Sequence, residues 1–114
     1  MKIAVIGSRG FNDYDKLKSI LSEFKITLLI SGGARGADSL GERYAKENDI
    51  ETKIYLPDWD KHGKSAGFKR NTDIINEAEL IIAFWDQESR GTKDSIDKAY
   101  KQNKQVLIIN TKNK

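Results

Sequence analysis

The chain has 114 residues, with 20 Lys+Arg against 17 Asp+Glu, no cysteine and one histidine. That length fits one domain with one core. Disulfides, thiolate metal ligands and cysteine nucleophiles are excluded, and His62 alone cannot build a His/Cys zinc site. The formal charge of +3 comes from lysines spread along the chain rather than a concentrated stripe, so nucleic acid is not the expected partner. No apolar run is long enough to span a bilayer, and the expectation is a cytoplasmic protein needing neither membrane, metal nor cofactor.

In chain order, the first apolar run is Ile3 to Ile6, too short for a signal-peptide core and ended by Gly7-Ser8-Arg9-Gly10. Leu17, Ile20, Leu21 and Phe24 then recur at helical spacing. A second strand, Leu28 to Ile30, runs into Ser31-Gly32-Gly33-Ala34-Arg35-Gly36-Ala37-Asp38. After it, Ala37, Leu40, Gly41, Tyr44 and Ala45 form the next helical face. Ile54 to Leu56 is a weaker third strand, followed by a long connection from Pro57 to about Lys64 that holds the only proline. Phe68, Thr72, Ile75 and Ala78 mark a third helix. Leu80 to Phe84 marks a fourth strand leading into Trp85-Asp86, and Ser89-Arg90-Gly91-Thr92 precedes a helix carrying Ile96, Ala99 and Tyr100. Val106 to Ile109 closes the series.

The strand runs are nearly continuous in hydrophobicity, as strands covered on both faces require. Alternation of strand and helix predicts an α/β, Rossmann-like three-layer sandwich with a five-stranded parallel sheet, order 3-2-1-4-5, and four helices. Residues 1–110 are read as a single domain, and 111–114 as a polar tail, with fraying expected from Asn110 onward.

In an open parallel sheet, ligands bind beyond the carboxyl ends of the strands, near the switch between the first and fourth strands. The unusual residues fall there. Glycines leave backbone N–H groups uncovered, and a helix starting near Gly36 aims its amides at the same point, so Gly32 to Gly36 is expected to cradle an anion. Gly7, Ser8 and Arg9 adjoin it. Ser89, Arg90, Gly91 and Thr92 form a third loop, with Thr92 as helix cap or phosphate contact. Arg70, with Asn71 near the start of the third helix, can fork two donors onto a phosphate, and its removal is expected to leave stability nearly unchanged. Trp59, Phe68 and Trp85 could each stack on a base or ribose, Trp85 first among them, although aromatics in a domain this small usually belong to the core. Asp58, Asp60 and Asp86 are too scattered to form a carboxylate pair.

Four ordered segments, GSRGF, SGGARGAD, RN and SRGT, resemble the SLOG superfamily, which joins Smf/DprA proteins to Lonely-Guy hydrolases, and in particular its YspA-like branch. The resemblance covers essentially the whole chain. It implies a Rossmann-like fold, a nucleotide-type ligand and a homo-oligomer. Lonely-Guy hydrolases carry PGGxGTxxE and an arginine. Aligning their GT with Gly91-Thr92 puts Ser95 where the glutamate stands, with Asp94 one position early and about 100° around the helix; Arg70 matches the arginine. The resemblance therefore implies a phosphate cradle without its carboxylate. The first expectation is a module that senses, carries or sequesters a nucleotide-derived molecule. The alternatives are a phosphoribohydrolase-like N-glycosidase using Arg70 and an acid such as Asp94 or Asp38, and single-strand DNA binding.

Overall fold

A computed structural model describes residues 1–112. Five parallel strands, β1 (Lys2–Gly7), β2 (Leu28–Ser31), β3 (Glu51–Ile54), β4 (Leu80–Trp85) and β5 (Gln105–Asn110), lie in the order β3-β2-β1-β4-β5, as expected. The helices are α1 (Tyr14–Leu21), α2 (Ala37–Glu47), α3 (Trp59–His62), α4 (Ala66–Glu77) and α5 (Arg90–Lys101). The four long ones are those predicted; α3 is one extra turn inside the long connection, capped by Asp58, whose carboxylate accepts from the Lys61 N–H.

β1 occupies the middle of the sheet, with Ile3 opposite Leu29 of β2 and Val5 opposite Ile82 of β4. Side chains alternate across a strand, so its apolar run feeds two cores. Ile3 and Val5 join Leu17, Leu21, Tyr44 and Phe84 beneath α1 and α2. Ala4 and Ile6 join Ile30, Ile74, Ile81 and Ile96 beneath α4 and α5. Burying each Ile, Leu or Val side chain contributes roughly 1.5–3 kcal/mol, which is why a strand needing two covers contains almost nothing polar.

The edge strands depart from that pattern. The third strand lies at Glu51–Ile54 rather than 54–56, and all four of its residues are exposed. Leu56 is beyond it, in the loop. Leu107 and Ile108 of β5 are also exposed, as is Tyr100, which turns away from the core that Ile96 and Ala99 enter. Asn110 belongs to β5, and the Thr111 N–H donates to the Trp85 carbonyl at 3.0 Å, so the chain is still paired where a frayed tail was expected. Residues 113 and 114 of that tail lie outside the described residues. No helix among the described residues is long and apolar enough to cross a membrane.

Candidate functional site

The β1–α1, β2–α2 and β4–α5 loops meet at the carboxyl edge of the sheet, and buried Ser8 ties them together. Its N–H donates to the Phe84 carbonyl at 3.0 Å, its carbonyl accepts from the Ala37 and Phe11 N–H groups, and its hydroxyl accepts from the Asp86 N–H at 3.0 Å. Ser8 is thus a structural knot. Gly36 packs directly beneath it with φ 78° and ψ −127°, and a Cβ there would lie 2.2 Å from the Ser8 carbonyl oxygen.

The β2–α2 loop is not an empty cradle. Asp38, in the first turn of α2, folds back so that one carboxylate oxygen accepts from the Gly32 and Ala34 N–H groups at 3.1 and 3.2 Å. The Gly33 N–H donates to the Ser31 hydroxyl at 3.1 Å, and that hydroxyl donates to Glu42 at 2.6 Å. Asp38 and the Ser31 hydroxyl therefore fill the amides expected to hold an external anion, correcting the assignment of Gly32, Gly33 and Ala34 as backbone anion ligands. Gly32 is also clamped from its other side, because Arg70 Nη1 donates to its carbonyl at 2.5 Å. A Cβ on Gly32 would strike both Arg70 and Asp38.

Burial pushes the Asp38 carboxyl up to about 6, against the pull of the Ala34 amide, the Arg70 charge and the Gly32 amide. A value raised above the unfolded 3.8 means that Asp38 contributes stability that is fully present below about pH 4 and lost as pH rises through about 6. The swing is worth about 3 kcal/mol. The difference between the urea-unfolding profiles of wild type and Asp38→Asn, taken from about pH 4 to 7.5, should show this component. Parallel profiles would show that Asp38 titrates normally.

Two connected cavities open at this edge. The inner one, about 90 Å³, is lined by Gly7, Arg9, Ala34, Asp38, Arg70 and Asn71 together with Ser89, Gly91, Thr92 and Ser95. Several waters or one small oxyanion would fill it, a water's share of liquid being ~30 Å³. Arg9, Ala34, Arg70, Asn71 and Gly91 are common to an outer groove of about 450 Å³, which adds Leu56, Pro57, Trp59, Lys64, Gly67 and Phe68. Trp59 and Phe68 are 55% and 46% exposed, so both face this groove and neither is core. Trp85 is half-buried against the second core with its indole N–H on the Ser89 carbonyl, and it lines neither cavity. A further cavity of about 580 Å³ lies between Phe11, Lys16 and Asn110, where three of the polar side chains are engaged within the chain: Asp13 caps α1, Lys16 reaches the Asn110 carbonyl, and Asp86 accepts from the Glu88 and Ser89 N–H groups.

Thr92 is buried, its hydroxyl 3.0 Å from that of the cap residue Ser89. The Arg90 and Gly91 amides have no hydrogen-bond partner among the described residues, which leaves the start of α5 as an open donor set beside the inner cavity. Arg90 and Arg35 are exposed and line neither cavity. Asn71 receives Arg70 Nε at 3.0 Å and donates to the Gly91 carbonyl and to Asp94. Asp94 is also paired with Lys98 at 2.7 Å, outside the inner cavity, whereas buried Ser95 lines it. The groove residues Leu56, Pro57, Lys64 and Gly67 carried no motif in the sequence; the long proline-containing connection was the only signal of their role.

The sequence profile of the YspA, cpYpsA-related SLOG family matches residues 1–62, which span β1 through α3 and include both glycine loops that flank Ser8. The gene 61 protein of Mycobacterium phage D29 is 30% identical over 120 residues, covering 96% of this chain and 94% of that protein. DNA processing protein A (DprA) from Streptococcus pneumoniae shares the fold at a TM-score of 0.80 and 18% identity, across 94% of this chain but 49% of that structure, so this chain spans about half the length of DprA. With the profile covering more than half of the residues and the phage relative nearly all of them, the chain belongs to the YspA, cpYpsA-related SLOG family.

Proposed function

We propose that the chain binds a nucleotide-type small molecule, with its phosphate in the inner cavity and its base in the outer groove. The observation that carries this reading is the continuity of the two cavities: Arg9, Arg70 and the open Gly91 amide on one side, Trp59 and Phe68 on the other. Arginines fork onto phosphate oxygens, and helix amino ends favour anions. Exposed indole and phenyl rings offer stacking faces. Turnover is not part of the proposal, because Ser95 carries no charge and Asp94 is engaged by Lys98 and Asn71. A general acid or base acts only within hydrogen-bonding reach of the reacting atoms.

Calorimetric titration of nucleoside monophosphates into wild type, Trp59→Phe and Trp59→Ala tests the reading. Trp59→Ala should weaken binding by about 1–3 kcal/mol, the usual worth of one stacked base. Its melting temperature should barely move, since Trp59 is exposed. No free base should be released in the same mixtures. Undiminished affinity in Trp59→Ala would remove the groove from the ligand site, and base release lost in Asp94→Ala would replace binding with hydrolysis.

A second reading, single-stranded DNA binding, draws support from Lys64 in the groove with the same exposed rings and from the fold shared with a DNA processing protein. Affinity for an oligonucleotide falling steeply with salt would favour it, since each phosphate contact adds to the salt slope.

A further inference from the structure

Asp38 stands on the wall of the inner cavity that holds Arg9 and Arg70 and is 7% exposed. The Gly32 residue links acid to base: its N–H donates to Asp38 and its carbonyl accepts from Arg70. Other charged groups face this pair from each neighbouring element. Glu42 of α2 is held on the Ser31 hydroxyl, and Arg9 of the β1–α1 loop acts on Arg70. Asp94 of α5 is reached through Asn71 and is offset by Lys98.

Resting on the anion-binding reading above, we propose that the inner cavity takes up a dianionic oxyanion together with one proton, and that the proton resides on Asp38. A dianion placed in so small a cavity lies close to a buried carboxylate, and like charges in a poorly solvated site cannot both remain ionised without large cost. The anion also competes for Arg70, the cation that favours ionised Asp38. Both effects push the same way. A protonated Asp38 keeps one oxygen on the Gly32 and Ala34 amides while its O–H becomes a donor to the ligand. The proton comes from solvent, and no bond other than that O–H is made. Burial has already brought the Asp38 carboxyl to about 6, so the proton is within reach near neutral pH.

Sulfate is the probe, because its charge is constant over the range of about pH 5 to 8. Wild-type affinity for sulfate should rise by up to about tenfold per pH unit as pH falls from about 8 to 6, then level off. Calorimetry in buffers of different ionisation enthalpy should show uptake of up to one proton per sulfate. Asp38→Asn should abolish the uptake and flatten the profile, while His62→Gln, a change in α3 away from the inner cavity, should keep both. If Asp38→Asn does not fold, the wild-type proton count decides. Sulfate binding that weakens in Arg9→Ala yet shows no proton uptake overturns the proposal and leaves the anion site standing. No sulfate binding at any pH, or binding indifferent to both Arg9→Ala and Arg70→Ala, overturns the anion site itself.

Discussion

Gly36→Ala should lower the stability of the chain by about 3–5 kcal/mol, visible as a fall of more than about 10 °C in melting temperature. Two costs combine. A φ of 78° with ψ of −127° lies in the mirror-image extended region that glycine alone enters readily, and the added methyl would stand 2.2 Å from the Ser8 oxygen and 2.6 Å from the Arg9 carbonyl. Relief by movement is blocked, because Ser8 is tied to Phe84, Ala37, Phe11 and Asp86 at once. Gly91→Ala is the internal control. Its Cβ would meet nothing within 4 Å and it sits in α5, so helix propensity should hold or raise the melting temperature. Equal losses in the two variants would mean that the Ser8 knot yields.

Arg70→Ala should weaken anion binding by about 1.5–3 kcal/mol, roughly 10- to 150-fold, through loss of a charge-assisted contact. It should also cost about 1–3 kcal/mol of stability, an amount held down by the half-exposed position of the guanidinium. The expectation from sequence, that stability would be indifferent, is corrected by what Arg70 holds: the Gly32 and Tyr55 carbonyls, Asn71, and the charge of buried Asp38. Arg70→Lys should restore little, since a single ammonium cannot span these acceptors as a planar fork does. Arg9→Ala separates the two roles. Arg9 is exposed, so binding should fall while stability changes by no more than about 0.5 kcal/mol. A chemical-denaturation series run beside the binding titration reads both quantities for each variant. Unchanged stability in Arg70→Ala would show that the Gly32 clamp contributes nothing to folding.

The central sheet was legible because Ile3–Ile6 and Leu80–Phe84 are packed on both faces, and two-sided burial leaves an unbroken apolar run in the sequence. The edges were not. β3 needs no such run, so the apolar signal of Ile54 and Leu56 pulled its predicted position toward a loop residue that is 71% exposed. The sequence ranks Trp59 and Phe68 as core ahead of ligand contacts, because composition cannot tell a ring that fills a core from one that walls a groove. The glycine loops were correctly placed at the carboxyl edge, but their occupancy was missed. Free amides are visible in a glycine run; the acid that will reach back to them is not, since that depends on where α2 starts. The available clue was Asp38 itself, an acid in the first turn of a helix whose cap residue, Gly36, has no side chain to offer.

The place of β1 at the middle of the sheet also governs the order in which a nascent chain can mature. β1 is made first, yet one of its two neighbours is β4, whose paired residues begin 77 positions later, at Leu80 opposite Ile3. At a synthesis rate of about 5–20 residues per second, the strand waits on the order of 4–15 s for that partner. Throughout this interval β1 has one edge unpaired, and Leu80, Ile82 and Phe84 are missing from the first core. A ribosome stalled before β4 should therefore present a protease-sensitive chain. Protection should arrive abruptly with the emergence of residues 80–85 rather than accumulate unit by unit.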